Sequence, residues 1–101
     1  MYVSRLNFYT IPGKSREVEQ QLKDLRAMVE RQGGALPRIL RTHFASLGAP
    51  DIVFEQEASD ISALEEQIAK VTESSEFQNW SSRMSTLLMQ SPKREVYLVV
   101  E

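Results

Sequence analysis

One side chain of this sequence stands out as a group that could move protons near neutral pH. His43 is the only histidine, and a general base would most naturally be this residue. Strand alternation would place Arg41 on the same face, with Glu55 opposite across a hairpin. Two interpretations stay open: His43 acts as a catalytic base, or it is bonded to a carboxylate as a structural residue inside a dimer core.

Four charged side chains could together hold a polar substrate. Arg5 and Arg41 are expected near Glu55 and Glu57. Buried opposite charges usually neutralise one another, so a structural ion-pair network is the alternative interpretation. A single histidine and the absence of cysteine exclude a zinc site built on these ligands. We expect neither a metal nor a cofactor.

An aromatic stripe is expected on the second helical region. Phe77, Trp80 and Met84 recur at helical spacing, which is typical of side chains packed in a core. If a pocket lies between this helix and the sheet, the same side chains would line it. The strands would complete such a pocket with Phe8, Phe44 and Phe54. These walls would suit a small aromatic or apolar ligand, such as a flat quinone-like molecule.

The elements that position these residues follow from hydrophobic periodicity and from the placement of glycine and proline. Strands are predicted over 2–11, 38–46, 52–58 and 95–101, a helix over 14–32, and a helical region over 60–90 that is broken at 72–75. This order predicts an α+β, ferredoxin-like βαββαβ fold with a four-stranded antiparallel sheet and the helices on one face. We expect a single domain over 1–101.

Alternation along the strands divides the sheet into two faces. The face expected to receive the helices carries Leu6, Phe8, Leu40, Phe44, Ile52, Phe54, Val96, Leu98 and Val100. The opposite face, here called the mixed face, carries Arg5, Asn7, Tyr9, Arg41, His43, Val53, Glu55, Glu57, Tyr97 and Val99. Because aromatic and aliphatic side chains lie among its ionisable groups, a partner is expected to cover the mixed face.

Composition narrows the classes of partner. Lysine and arginine number 12 and aspartate and glutamate 14, scattered along the chain, which argues against nucleic acid. No apolar run is long enough for a membrane span, so membrane insertion is not expected. The absence of cysteine and of a leader-like N-terminus predicts a cytoplasmic protein.

Four segments carry a resemblance to a known superfamily. They are the first strand running into Pro12-Gly13-Lys14, the hairpin ending in VFEQEA, the helical segment SSEFQNW and the closing strand REVYLVVE. Over its whole length the chain resembles the dimeric α/β barrel superfamily, in particular its NIPSNAP-like and antibiotic-biosynthesis-monooxygenase-like small domains. The resemblance implies a homodimer in which two sheets stack through their mixed faces. It also implies that any ligand pocket lies between sheet and helices.

The resemblance suggests chemistry by residue type. Cofactor-independent monooxygenases of this superfamily surround a polyphenol with Asn, Trp and Tyr side chains, for which Asn7, Tyr9, Trp80 and Tyr97 are the candidates here. The haem-degrading branch uses a strand asparagine with a tryptophan and a histidine on the second helix. This chain has no helical histidine, so haem degradation is not expected.

Two hypotheses follow. In the first, the protein is a homodimer that binds a small apolar or aromatic molecule between sheet and helices, and its enzymatic form is a cofactor-independent monooxygenase-like reaction. In the second, it is a non-catalytic dimerisation or accessory domain with a fully packed core.

Overall fold

The computed structural model describes residues 1–34 and 36–101. In chain order the elements are β1 Tyr2–Phe8, α1 Ser15–Arg31, β2 Arg38–Arg41, β3 Ile52–Ala58, α2 Ile61–Thr72, α3 Ser75–Ser85 and β4 Lys93–Leu98. The strands form one antiparallel sheet in the order β2-β3-β1-β4. The predicted class is confirmed: the fold is α+β, with a four-stranded antiparallel sheet.

Local chemistry fixes where the helices begin and end. Asp60 caps α2 by accepting a hydrogen bond from the Ala63 amide at 2.8 Å. Ser74 caps α3 in the same way, accepting from the Phe77 amide at 3.1 Å. The predicted break between the two helices is therefore confirmed, with Ser74 as the residue that caps α3. After α1, Gly33 takes a positive φ of 76° that a residue with a Cβ rarely adopts.

The core lies between the helices and the side of the sheet that they cover. On β1 this side carries Ser4, Leu6 and Phe8, of which Ser4 and Phe8 are buried. Around Phe8 the buried cluster collects Val18, Leu22, Leu25, Met28, Val29, Ile52, Phe54, Val71, Trp80 and Met84. The indole N–H of Trp80 donates to the backbone oxygen of Gln21 at 2.6 Å, which joins α3 to α1.

The predicted bounds of three strands are wrong. β1 ends at Phe8 rather than residue 11, and β4 spans Lys93–Leu98 rather than 95–101. β2 spans only Arg38–Arg41, so residues 42–51 form a connecting loop and not the end of a strand. The backbone amide of Thr42 donates to the backbone oxygen of Asp51 at 3.0 Å, which closes this loop. The backbone amide of Asp51 donates to the backbone oxygen of Phe8 at 2.9 Å, which joins the loop to β1.

The predicted orientation of β2 is also wrong. Arg41 pairs with Ile52 and Leu40 with Val53, so Arg41 faces the helices and Leu40 belongs to the mixed face. The guanidinium of Arg41 donates to the Glu19 carboxylate of α1 at 2.8 and 2.7 Å, which holds this side chain on the helix side. Because side chains alternate along a strand, an error of one residue moves every side chain of β2 to the other face.

No helix within 1–34 and 36–101 combines the length and the apolar character needed to cross a membrane.

Candidate ligand-binding cleft

The helices leave one edge of the sheet open on the side that they otherwise cover. Val96 and Leu98 lie on the helix-facing side of β4, where they pair with Ser4 and Tyr2, yet they are 43% and 57% exposed. A cleft of about 460 Å³ opens between α3 and this edge. Its lining consists of Leu6, Phe77, Trp80, Ser81, Met84, Ser85, Leu88, Gln90, Ser91, Pro92 and Arg94. This volume lies in the range of small-molecule sites.

The apolar wall of the cleft comes from one face of α3. Phe77, Trp80 and Met84 follow one another at helical spacing, and the Ser74 cap sets where that face begins. The Phe77 and Trp80 rings have centroids 5.4 Å apart and planes tilted by 30°. Trp80 is only 3% exposed, because most of its ring packs in the core while it still contributes to the cleft surface.

A smaller cavity continues the cleft into the interior. Its volume is about 60 Å³, and it shares Leu6, Phe77 and Arg94 with the cleft. Phe54 and Gln56 of β3 line its inner end. The side-chain amide of Gln56 donates to that of Gln67 on α2, so this polar group is satisfied.

Arg94 is the charged group of the cleft. It pairs with Leu6 across the ladder and therefore points to the helix side of the sheet. Its Nη1 donates to the Ser4 hydroxyl at 2.6 Å, and Ser4 is only 1% exposed. Arg94 is exposed overall; the protein packed around its guanidinium lowers its pKa, but a guanidinium is not deprotonated in proteins. Among the described residues no carboxylate forms an ion pair with it.

The mixed face holds a hydrogen-bonded cluster around Glu95. The Tyr97 hydroxyl donates to Glu95 at 2.5 Å, and the Asn7 amide donates to its other carboxylate oxygen. These two hydrogen bonds, chiefly that of Tyr97, lower the pKa of Glu95, while the bond to Glu95 raises the pKa of Tyr97. Arg5 lies over the Tyr97 ring at 5.4 Å, and Lys93 lies 5.7 Å from the ring centre of Tyr9.

A second cluster on the mixed face surrounds Glu55. Arg5 donates to this carboxylate at 2.8 Å, and Arg38 donates to its other oxygen. Glu55 is only 3% exposed. Burial acts to raise the pKa of Glu55, but the hydrogen bonds from Arg38 and Arg5 outweigh it and lower that pKa. These opposite charges therefore neutralise one another within a single chain.

The predicted site residues fall into separate places. Asn7, Tyr9 and Tyr97 lie on the mixed face, opposite the cleft. His43 lies in the loop after β2, edge-on to Phe44 with ring centroids 4.5 Å apart. The expected pairing of His43 with Glu55 across a hairpin is wrong, since Arg38 stands opposite Glu55.

The five predicted ligand-binding aromatics are likewise divided. Phe77 and Trp80 line the cleft, and Phe54 lines its inner cavity. Phe8 is fully buried in the core, and Phe44 is 90% exposed in the loop after β2. The placement of Phe44 on the helix face was wrong, because β2 ends at Arg41 and the alternation on which it depended stops there.

Sequence reasoning missed Arg94. Its sequence position indicates its place, because side chains alternate along a strand and Arg94 therefore lies on the same helix-facing side of β4 as Val96 and Leu98. The predicted strand began at residue 95, which left Arg94 outside it. Within 1–34 and 36–101, no cluster of three or more histidine, aspartate and glutamate side chains could hold a metal ion.

No protein-family model matches this chain, and no curated protein matches it in sequence. Solved structures do match its fold. An uncharacterized NIPSNAP domain protein from Burkholderia xenovorans has a TM-score of 0.80 at 16% identity, covering 99% of this chain and 95% of that one. A protein assigned as an antibiotic biosynthesis monooxygenase from Nitrosomonas europaea has a TM-score of 0.70 at 15% identity, with both chains covered in full.

A mutant of SnoaB, a cofactor-independent oxygenase from Streptomyces nogalater, has a TM-score of 0.65 at 17% identity, covering 99% of this chain and 91% of that one. The predicted resemblance to NIPSNAP-like and antibiotic-biosynthesis-monooxygenase-like domains is thus confirmed at the level of the fold. Identities this low carry no residue roles from those proteins to this one.

Proposed function

We propose that this protein binds a small, flat, largely apolar molecule in the cleft between α3 and the β1–β4 edge of the sheet. The cleft itself is the observation that carries this proposal. It offers about 460 Å³ beside the aromatic wall of Phe77 and Trp80. The alternative, an accessory domain with a fully packed core, would not require such an opening beside aromatic side chains.

Two neighbouring serines of α3 allow a matched test of binding. Ser81 lines the cleft, whereas Ser82 is exposed and does not line it. In the Ser81→Phe variant the new ring fills the cleft, so binding of 2-naphthol measured by calorimetry is expected to fall at least tenfold. The Ser82→Phe variant adds the same ring outside the cleft and should bind as the unmodified protein does. Equal binding by both variants would argue against this site.

A cofactor-independent oxygenase reaction is the enzymatic form of this proposal. The fold similarity to SnoaB supports testing it. In one chain Asn7, Tyr9 and Tyr97 lie on the opposite face, so a reaction in the cleft would use other groups or only position the substrate. Oxygen uptake with a dihydroxynaphthalene should exceed the uptake seen with the Ser81→Phe variant. Identical rates would favour binding without turnover.

The protein is further proposed to be a homodimer that buries the mixed face. Leu40, Tyr97 and Val99 are exposed there in one chain. Three of the charges on this face are already paired, in the contacts of Glu55 with Arg5 and Arg38. Covering paired charges costs less desolvation free energy than covering isolated ones. Light scattering should therefore report twice the chain mass of 11.6 kDa.

A further inference from the structure

We propose that Arg94 makes the cleft selective for an anionic ligand, a small aromatic molecule that carries a carboxylate. This inference rests on the proposed ligand-binding function and adds the chemical class of the ligand. Arg94 lines both the cleft and its inner cavity, so a molecule bound in either space would lie beside this side chain.

The charge of Arg94 differs from that of the arginines that form ion pairs. Arg5 and Arg38 are paired with Glu55, Arg41 with Glu19 and Arg31 with Glu76. Arg94 has no such partner among the described residues, and it is exposed where it lines the cleft. A cation without a counterion beside an apolar wall is free to form a charge-assisted hydrogen bond with an incoming anion.

The geometry of Arg94 suits a planar anion. A guanidinium has five N–H donors in a rigid fork that matches both oxygens of a carboxylate. The hydrogen bond from Nη1 to the buried Ser4 hydroxyl uses one of these donors and restricts the orientation of the group. Ser4 is thereby a positioning residue for Arg94, since its hydroxyl is too buried to serve as the main contact for a ligand.

The opposite side of the cleft is apolar and aromatic. Phe77 and Trp80 lie on α3, while Arg94 lies on β4, so a bound molecule would meet rings on one side and a cation on the other. An aromatic carboxylic acid matches both sides, because its ring is apolar and its carboxylate is negatively charged. A neutral aromatic would satisfy the rings and leave the guanidinium without a counterion.

The test compares 2-naphthoate with 2-naphthamide, which has nearly the same shape but no charge, by calorimetry on the whole protein. The carboxylate is expected to bind about 10- to 100-fold more tightly, the usual gain from a charge-assisted pair. In Arg94→Gln this preference should disappear, while Arg94→Lys should keep part of it. Ser4→Ala should weaken naphthoate binding but leave naphthamide binding unchanged.

Arg83→Gln is the matched control, because Arg83 lies on α3 outside the cleft and its loss changes net charge equally. This variant should retain the full preference for naphthoate. If the unmodified protein binds both compounds equally, the role of Arg94 is overturned while the cleft stands as a binding site. If it binds neither compound at millimolar concentration, the binding function itself fails.

Discussion

The indole N–H of Trp80 offers a direct test of how α3 is held against α1. Trp80 is buried, and this group donates to the Gln21 oxygen at 2.6 Å. Replacing Trp80 by phenylalanine removes that hydrogen bond, which contributes about 1 kcal/mol. The smaller ring also buries less apolar area, and this loss costs a comparable free energy. The expected loss is about 2 kcal/mol in the free energy of unfolding. For a domain of this size that corresponds to a fall in Tm of roughly 10 °C.

An isosteric replacement separates the two contributions. Benzothienylalanine at position 80 keeps the bicyclic shape of tryptophan but has sulfur in place of the N–H. This protein should lose only the hydrogen-bond share, about 1 kcal/mol. Stability is measured by urea denaturation at neutral pH for all three proteins. If the isosteric protein is as stable as the unmodified one, the bond to Gln21 contributes nothing; if Trp80→Phe costs nothing, Trp80 is not packed as described.

Further predictions concern charge, assembly and helix capping. Because folding lowers the pKa of Glu55, its contribution to stability is present above its ordinary pKa of 4.5 and is lost as the pH falls through the lowered value. Glu55→Gln should therefore destabilise the protein at pH 7 in urea denaturation, and the difference should shrink towards pH 3; a constant difference would contradict the pairing with Arg5 and Arg38. Leu40→Glu on the mixed face should halve the mass measured by light scattering, whereas Phe44→Ser in the exposed loop should leave it unchanged; retention of the dimer by Leu40→Glu would refute assembly through this face. Asp60→Ala removes the cap of α2 and should lower the free energy of unfolding by about 1 kcal/mol, measured by thermal unfolding. Asp24→Ala, at an exposed position inside α1, should not lower it. Equal effects of the two variants would contradict the capping role.

The order of elements could be read from the sequence because each long segment has one clear period. The stripe of Val18, Leu22, Leu25 and Val29 predicted α1, and all four side chains are buried. The polar break before Ser74 predicted two helices in place of one, and the cap at Ser74 explains why. These are local signals, which depend on nothing distant in the chain.

The orientation of β2 could not be read in the same way. Residues 38–46 mix polar and apolar side chains so that either parity gives a plausible face. The observed orientation packs Ile39 against the buried core and brings Arg41 to Glu19, and both contacts are with other elements. A short strand with an ambiguous pattern takes its register from such tertiary contacts. The misplacement of His43 and Phe44 has a separate cause, since β2 ends at Arg41 and both residues lie in the loop that follows.

Part of the candidate site could be predicted and part could not. Helical spacing brought Phe77 and Trp80 together, and both line the cleft. The cleft exists because the helices leave the β4 edge of the sheet uncovered, and no sequence pattern reports how far a helix layer extends. Arg94 lines the cleft because of that opening, since a helix lying over β4 would have left no space beside this side chain.

An amide NMR titration of the whole protein with 2-naphthoate would locate the ligand site directly. We expect the largest chemical-shift changes at residues that line the cleft, among them Leu6, Phe77 and Arg94. Saturable changes confined to those positions would support a ligand site between α3 and the sheet. Changes confined to the loop of His43 and Phe44, or to the mixed face, would contradict it.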